Sequence, residues 1–111
     1  MIKQRDLILV PFPFSDQSRR KVRPVIIISN DNFNDNSEDI LVVGVTSNIS
    51  RDNFSIELKN DDLEEGKLIT KCRVKIDNIL KLDKELIMKK IGRINKRIFN
   101  EIIDNIIKII K

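Results

Sequence analysis

Arg23 precedes Pro24 and a run of Val25, Ile26, Ile27 and Ile28, so a permanent cation stands at the mouth of a segment apolar enough to need cover on both faces. Pro24 biases the residue before it toward an extended backbone and gives no N–H to a ladder, which reads as the first residue of that strand. A guanidinium fixed there either holds a phosphate through its forked donors or is a surface arginine with no such task. Just upstream, Ser15 to Lys21 is polar and ends in Arg19, Arg20 and Lys21. It reads as a solvated hairpin tip or as a basic flap over whatever Arg23 binds. Thr46, Ser47 and Asn48 close a later apolar run, and such side chains often bond the backbone of their own turn. From Cys72 onward, alternation places Arg73, Lys75 and Asp77 on one face and Cys72, Val74 and Ile76 on the other. That stripe is a charged binding face or a set of cross-strand ion pairs.

Absences narrow the chemistry further. The 111 residues include no histidine and a single cysteine, Cys72. The commonest general base and metal ligand are therefore missing, and neither an intrachain disulfide nor a cysteine metal cluster can form. Catalysis, if any, falls to Arg, Lys, Asp, Glu, Ser or Thr, and no cofactor is expected. A net charge of +4 suits an anionic partner such as nucleic acid, and suits plain solubility equally. No apolar run reaches the length of a membrane span and the first residues lack a signal-peptide pattern, so a soluble, cytoplasmic protein is expected, with no membrane partner.

The elements that must position these residues follow from the apolar pattern. Leu7 to Val10 predicts a first strand running into the stiff Pro11-Phe12-Pro13-Phe14 segment. Asn30 to Asp39 reads as a loop pinned to the core by Phe33. Ile40 to Val45 predicts a second buried strand, Phe54 to Leu58 a half-exposed one, and Cys72 to Ile79 another. Asn60 to Gly66 reads as an acidic turn, and Ile91 to Ile94 as a last short strand. Asn95 is placed to cap a terminal helix, in which Ile98, Phe99, Ile102, Ile103, Ile106, Ile107 and Ile110 recur at helical spacing. Isoleucine is a mediocre helix former, so burial of that face must supply the stability. Ile109 widens the stripe and hints at a subunit contact. The whole reads as one domain, mainly β with a closing helix.

Five segments in order resemble the MazF/PemK family of toxin endoribonucleases from bacterial and archaeal toxin-antitoxin pairs. They are Leu7 to Asp16, Val22 to Ser29, Val45 to Ser47, Val74 to Ile79 with Leu82 to Lys84, and Lys90 to Ile94. The resemblance implies a single toxin domain over residues 1–111, folded as a small SH3-like β-barrel with a C-terminal helix. It also implies a homodimer, a cognate antitoxin protein as partner, and metal-independent cleavage of single-stranded RNA at short sequences. Arg23 and Thr46 match the family's catalytic pair. Lys75 and Asp77 match a basic-x-acidic pair used for substrate contact or proton transfer, and Asp77 becomes the candidate base. Phe12 and the loop bearing Ser15, Asp16, Arg19, Arg20 and Lys21 match the segment that shapes and covers the RNA site. Ser47, Asn48 and Arg73 join them as expected substrate contacts. The chain departs from the family pattern at Arg5, where glycine is usual, and at Lys75, where arginine is.

Cutting RNA without metal or histidine leaves attack by the ribose 2'-hydroxyl on the neighbouring phosphorus, giving a 2',3'-cyclic phosphate and a 5'-hydroxyl. The alternative is a barrel of the same ancestry that binds RNA or protein without cutting. A DNA-binding role fits less well, because no helix-turn-helix spacing is visible and the terminal helix is too apolar to lie in a groove.

Overall fold

The computed structural model describes residues 2–13, 20–50 and 52–111, with backbone alone at positions 12, 13, 20 and 21. Seven strands form one antiparallel sheet: β1 (Asp6–Pro13), β2 (Arg20–Ile27), β3 (Asp39–Thr46), β4 (Ser55–Leu58), β5 (Leu63–Gly66), β6 (Cys72–Asp83) and β7 (Lys89–Ile94). Their order is β4-β6-β3-β2-β1-β7-β5, and the sheet curls into a half-barrel. Helix α1 spans Asp31–Asn36 and helix α2 Lys96–Ile110.

Strand alternation divides the apolar residues between two cores, one per sheet face. Leu7, Ile26, Val43, Val45 and Val74 meet Ile98, Ile102 and Ile106 of α2. On the opposite face Ile8, Val10, Val25, Ile27, Ile40 and Val42 are covered by Leu80, Leu82 and Ile87. The side chain of Asn95 accepts the Ile98 N–H at 2.9 Å, which is the N-cap the sequence predicts. The mainly β fold with a C-terminal helix is as expected.

Several local expectations change. Pro24 is not the first residue of its strand: it lies inside β2, opposite Leu9 of β1. The β2–β3 register, however, covers only Val25 to Ile27. Ile28 donates its N–H to Leu41 of the β3 side, so by alternation the nitrogen of Pro24 also faces β3, just past the last pair. The missing donor falls where the two strands have already parted.

Residues 31–36 are helical rather than loop, because Asn30 accepts the Phe33 N–H at 2.8 Å and starts a turn. Phe33 does not pin this segment, being 38% exposed. Asn34 does: it is 1% exposed, donates to the Ser29 carbonyl at 3.0 Å and accepts the Ser29 hydroxyl at 2.5 Å. A buried amide satisfied in both directions fixes its surroundings more narrowly than an apolar contact does. The acidic segment 60–66 is a single 3-10 turn followed by β5, which pairs with β7. Arg5 holds a φ of 77°, a left-handed backbone that costs a residue with a Cβ. Its guanidinium offsets this by donating to the Ile94 carbonyl at 2.8 Å and to Glu64 at 3.1 Å.

Candidate active site

Past Val25 and Gly44 the seam between β2 and β3 opens. Arg23 remains held on its outer side, paired with Val10 of β1. Thr46 is held on its outer side too, paired with Arg73 of β6. Between them lies a cavity of about 320 Å³, lined by Arg23, Pro24, Val25, Gly44, Val45, Thr46, Asn48, Ser50, Asp52, Ser55, Lys75 and Asn78. Val25 belongs to the core on the face away from α2, so the cavity continues that face where its apolar cover ends.

The far wall is built by alternation that persists beyond the strand. Thr46, Asn48, Ser50 and Asp52 all line the cavity. Thr46 Oγ1 accepts the Asn48 N–H at 3.1 Å, Asn48 Oδ1 the Ser50 N–H at 3.0 Å, and Asp52 Oδ1 the Phe54 N–H at 2.8 Å. Three of the four side chains thus hold the backbone two residues on. Its end is tied to β6, where Lys75 Nζ meets Asp52 Oδ2 at 2.9 Å. The hydrogen bond from Lys75, then that from the Phe54 N–H, hold the Asp52 carboxyl below its ordinary range. The same bond raises the Lys75 ammonium above its own. At neutral pH both are charged.

The floor depends on an irregularity in β6. Val43 pairs with Ile79 while the next residue, Gly44, pairs with Lys75, so Ile76, Asp77 and Asn78 stand between. The step reverses the alternation, and the side chain that reaches the cavity is Asn78. It lies over Gly44, where a Cβ would collide with its amide nitrogen.

The model of the PemK-like, MazF-like toxin of type II toxin-antitoxin systems matches residues 3–110. The chain belongs to that family. Among solved structures, an endoribonuclease in complex with its cognate antitoxin from a mycobacterial species superposes with a TM-score of 0.79 at 18% identity, covering 97% of this chain and 93% of that one. A MazE-MazF crystal structure from Deinococcus radiodurans gives 0.77 at 15%, covering 97% and 94%. The Mycobacterium tuberculosis toxin MazF-mt6 gives 0.73 at 16%, covering 92% of each. No curated protein matches the sequence.

Of the residues singled out from the sequence of this MazF-like chain, Arg23, Thr46, Asn48 and Lys75 line the one cavity. Ser47 does not; it faces a second hollow of about 470 Å³ on the α2 side of the seam, with Leu7, Leu9, Val22 and Cys72. Arg73 is also elsewhere. It donates through Nε to the Ser55 hydroxyl at 2.7 Å and through Nη2 to the Ser55 carbonyl at 3.0 Å, and lines a hollow with Arg97 and Asp62. Asp77 is exposed and absent from the cavity lining, because it sits in the irregular step of β6. Its charge still bears on Lys75. Ser15, Asp16 and Arg19 lie outside the described residues, as do the side chains of Phe12, Arg20 and Lys21.

Ser50, Asp52, Ser55, Asn78 and Gly44 are cavity residues that the sequence reading passed over. Two signals pointed to Ser50, Asp52 and Gly44. Polar side chains continue at every second position from Thr46 to Asp52, and Gly44 interrupts an otherwise β-branched strand, as glycine does where something approaches closely.

Proposed function

We propose that this MazF-like toxin is a sequence-specific, metal-independent endoribonuclease acting on single-stranded RNA. The observation that supports this most is the convergence of Arg23 and Thr46, from strands that are adjacent yet unpaired at that point, on one open cavity. The nucleophile is the substrate's own 2'-hydroxyl. Its oxygen gives up its proton as it bonds to phosphorus, the bond to the 5'-oxygen breaks, and the leaving oxygen takes a proton, so the products are a 2',3'-cyclic phosphate and a 5'-hydroxyl. The protein's work is to align these atoms and to neutralise the charge that builds on the non-bridging oxygens.

Arg23 supplies a permanent charge in fork geometry, and it stabilises charge rather than giving up a proton. Thr46 contributes a neutral donor: its oxygen is engaged by the Asn48 N–H, which leaves the hydroxyl hydrogen for a phosphate oxygen. Asp77 takes the place of the family's acidic member; its part in proton transfer is tested by Asp77→Asn, and full cleavage by that variant removes the role. A protein antitoxin is the expected inhibitor, and a second copy of the chain the expected subunit partner.

The test is incubation of the purified protein with a long unstructured RNA in EDTA, followed by mapping of the ends. Discrete cuts bearing 5'-hydroxyls, lost in Arg23→Ala, support the reading. RNA bound in a shift assay but left intact overturns it in favour of a binding barrel.

A further inference from the structure

Resting on that reading, we infer that Asp52 is an internal anion of this site, holding the lysine that a backbone phosphate of the RNA takes on binding. Substrate entry exchanges the Asp52–Lys75 pair for a phosphate–Lys75 pair.

Three observations carry this. Asp52 and Lys75 both line the cavity that Arg23 and Thr46 line, so the carboxylate stands among groups that otherwise offer donors to a phosphodiester. The pair is close, at 2.9 Å, yet its side chains keep 32% and 42% of their surface. Water and ions reach it, and an incoming phosphate can compete for the ammonium without a buried charge being stranded. Lastly, only one carboxylate oxygen is committed to Lys75. The other is anchored by the Phe54 N–H, so Asp52 keeps a partner when Lys75 changes hands.

The exchange costs affinity, since a phosphate gains Lys75 only as Asp52 loses it. Removing the carboxylate charge therefore tightens RNA binding. Asp52→Asn is the suitable variant, because the amide oxygen still accepts the Phe54 N–H. With an unstructured 2'-O-methyl RNA, which lacks the nucleophile, the variant should bind about two- to fivefold more tightly, the range a solvent-reached ion pair is worth. Its log-log salt dependence should steepen by up to about 0.7, one further phosphate neutralised without a compensating loss. Both effects should vanish in a Lys75→Gln background.

An Asp52→Asn protein that binds no better than the parent, or that shows the same gain without Lys75, overturns the inference. So does weaker binding, which would make Asp52 a direct acceptor for the RNA. Cleavage of unmodified RNA by the parent is scored separately. Cuts alongside an unchanged Asp52→Asn affinity remove the inference alone, whereas absence of cuts removes the nuclease reading and the inference with it.

Discussion

Replacing Thr46 with valine tests the site at one atom. The two side chains have nearly the same shape, so the change deletes a hydroxyl and leaves the packing at the end of β3 in place. What the fold loses is one half-exposed bond, Thr46 Oγ1 to the Asn48 N–H at 3.1 Å, worth about 0.5–1.5 kcal/mol. That is a small part of the roughly 5–15 kcal/mol that holds a domain folded. What the proposed reaction loses is a donor aimed at developing charge, whose removal costs on the order of 10² to 10³ in rate. Thr46→Val should therefore melt close to the parent and cut at least about a hundredfold more slowly. Thr46→Ser keeps the hydroxyl and gives up the χ1 stiffness of a β-branched residue, so it should stay within about tenfold. Single-turnover cleavage of a short fluorogenic RNA in EDTA measures the first quantity and a thermal melt the second. A valine variant within about threefold of the parent rate would show that no charge is stabilised from this position, and the proposed role of the Thr46 hydroxyl would fall.

Other substitutions probe the same cavity from its remaining walls. Arg23→Lys keeps the charge and loses the fork, and should slow cleavage about 10- to 100-fold; parity with the parent would reduce Arg23 to a point charge. Gly44→Ala drives a methyl into the Asn78 amide, so activity should fall while the urea midpoint moves little; an active variant would mean that Asn78 need not occupy the floor. Pro24→Val restores an N–H on the side of β2 that faces β3, letting the ladder advance beyond Val25 and Gly44; stability should rise as cleavage drops, and unchanged activity would show that the seam stays open for another reason. The pH behaviour follows from the Asp52–Lys75 pair. The Asp52 pKa is depressed below 3.8 by Lys75 and the Lys75 pKa raised above 10.5 by Asp52, so the pair's stabilisation is complete between those values. It is lost as pH falls through the folded Asp52 value, and again as pH rises through that of Lys75. The stability difference between parent and Asp52→Asn should thus be flat from about pH 5 to 9 and shrink in acid; a step near neutrality would contradict the assignment.

Much of this was legible before any coordinates. Runs of Val and Ile announced β1, β2 and β3, and Asn95 with the isoleucine stripe announced α2, because burial and capping leave marks at fixed spacings. The pairing of Arg23 with Thr46 across one cavity was reachable only through the family pattern, since nothing local places residues 23 and 46 side by side. What escaped was set by tertiary context. Simple alternation put Arg73, Lys75 and Asp77 on one stripe, but the irregular step at Ile76 to Asn78 turns the floor over to Asn78. No composition rule announces extra residues in a strand whose partner supplies the mismatch. Asn34 was missed for a related reason: a buried amide is indistinguishable in sequence from the exposed ones around it until its partner, Ser29, is seen beside it.

The placement of the site follows from how antiparallel sheets are held. Within a continuous sheet, a strand interior offers side chains to a face and keeps its backbone in the ladder, leaving no depth for a substrate. Here Pro24 cannot continue the ladder toward β3, and the two strands separate while each stays paired to its other neighbour, β1 for Arg23 and β6 for Thr46. The gap is therefore flanked by two independently braced walls. A donor braced from outside does not have to be ordered when charge develops between the walls, which is the condition for electrostatic stabilisation to act without reorganisation. The same reasoning explains the contrast with Arg73. It is held firmly, by two bonds to Ser55, but those bonds aim its guanidinium away from the gap. Rigidity alone does not make a site; the braced group must also face the opening.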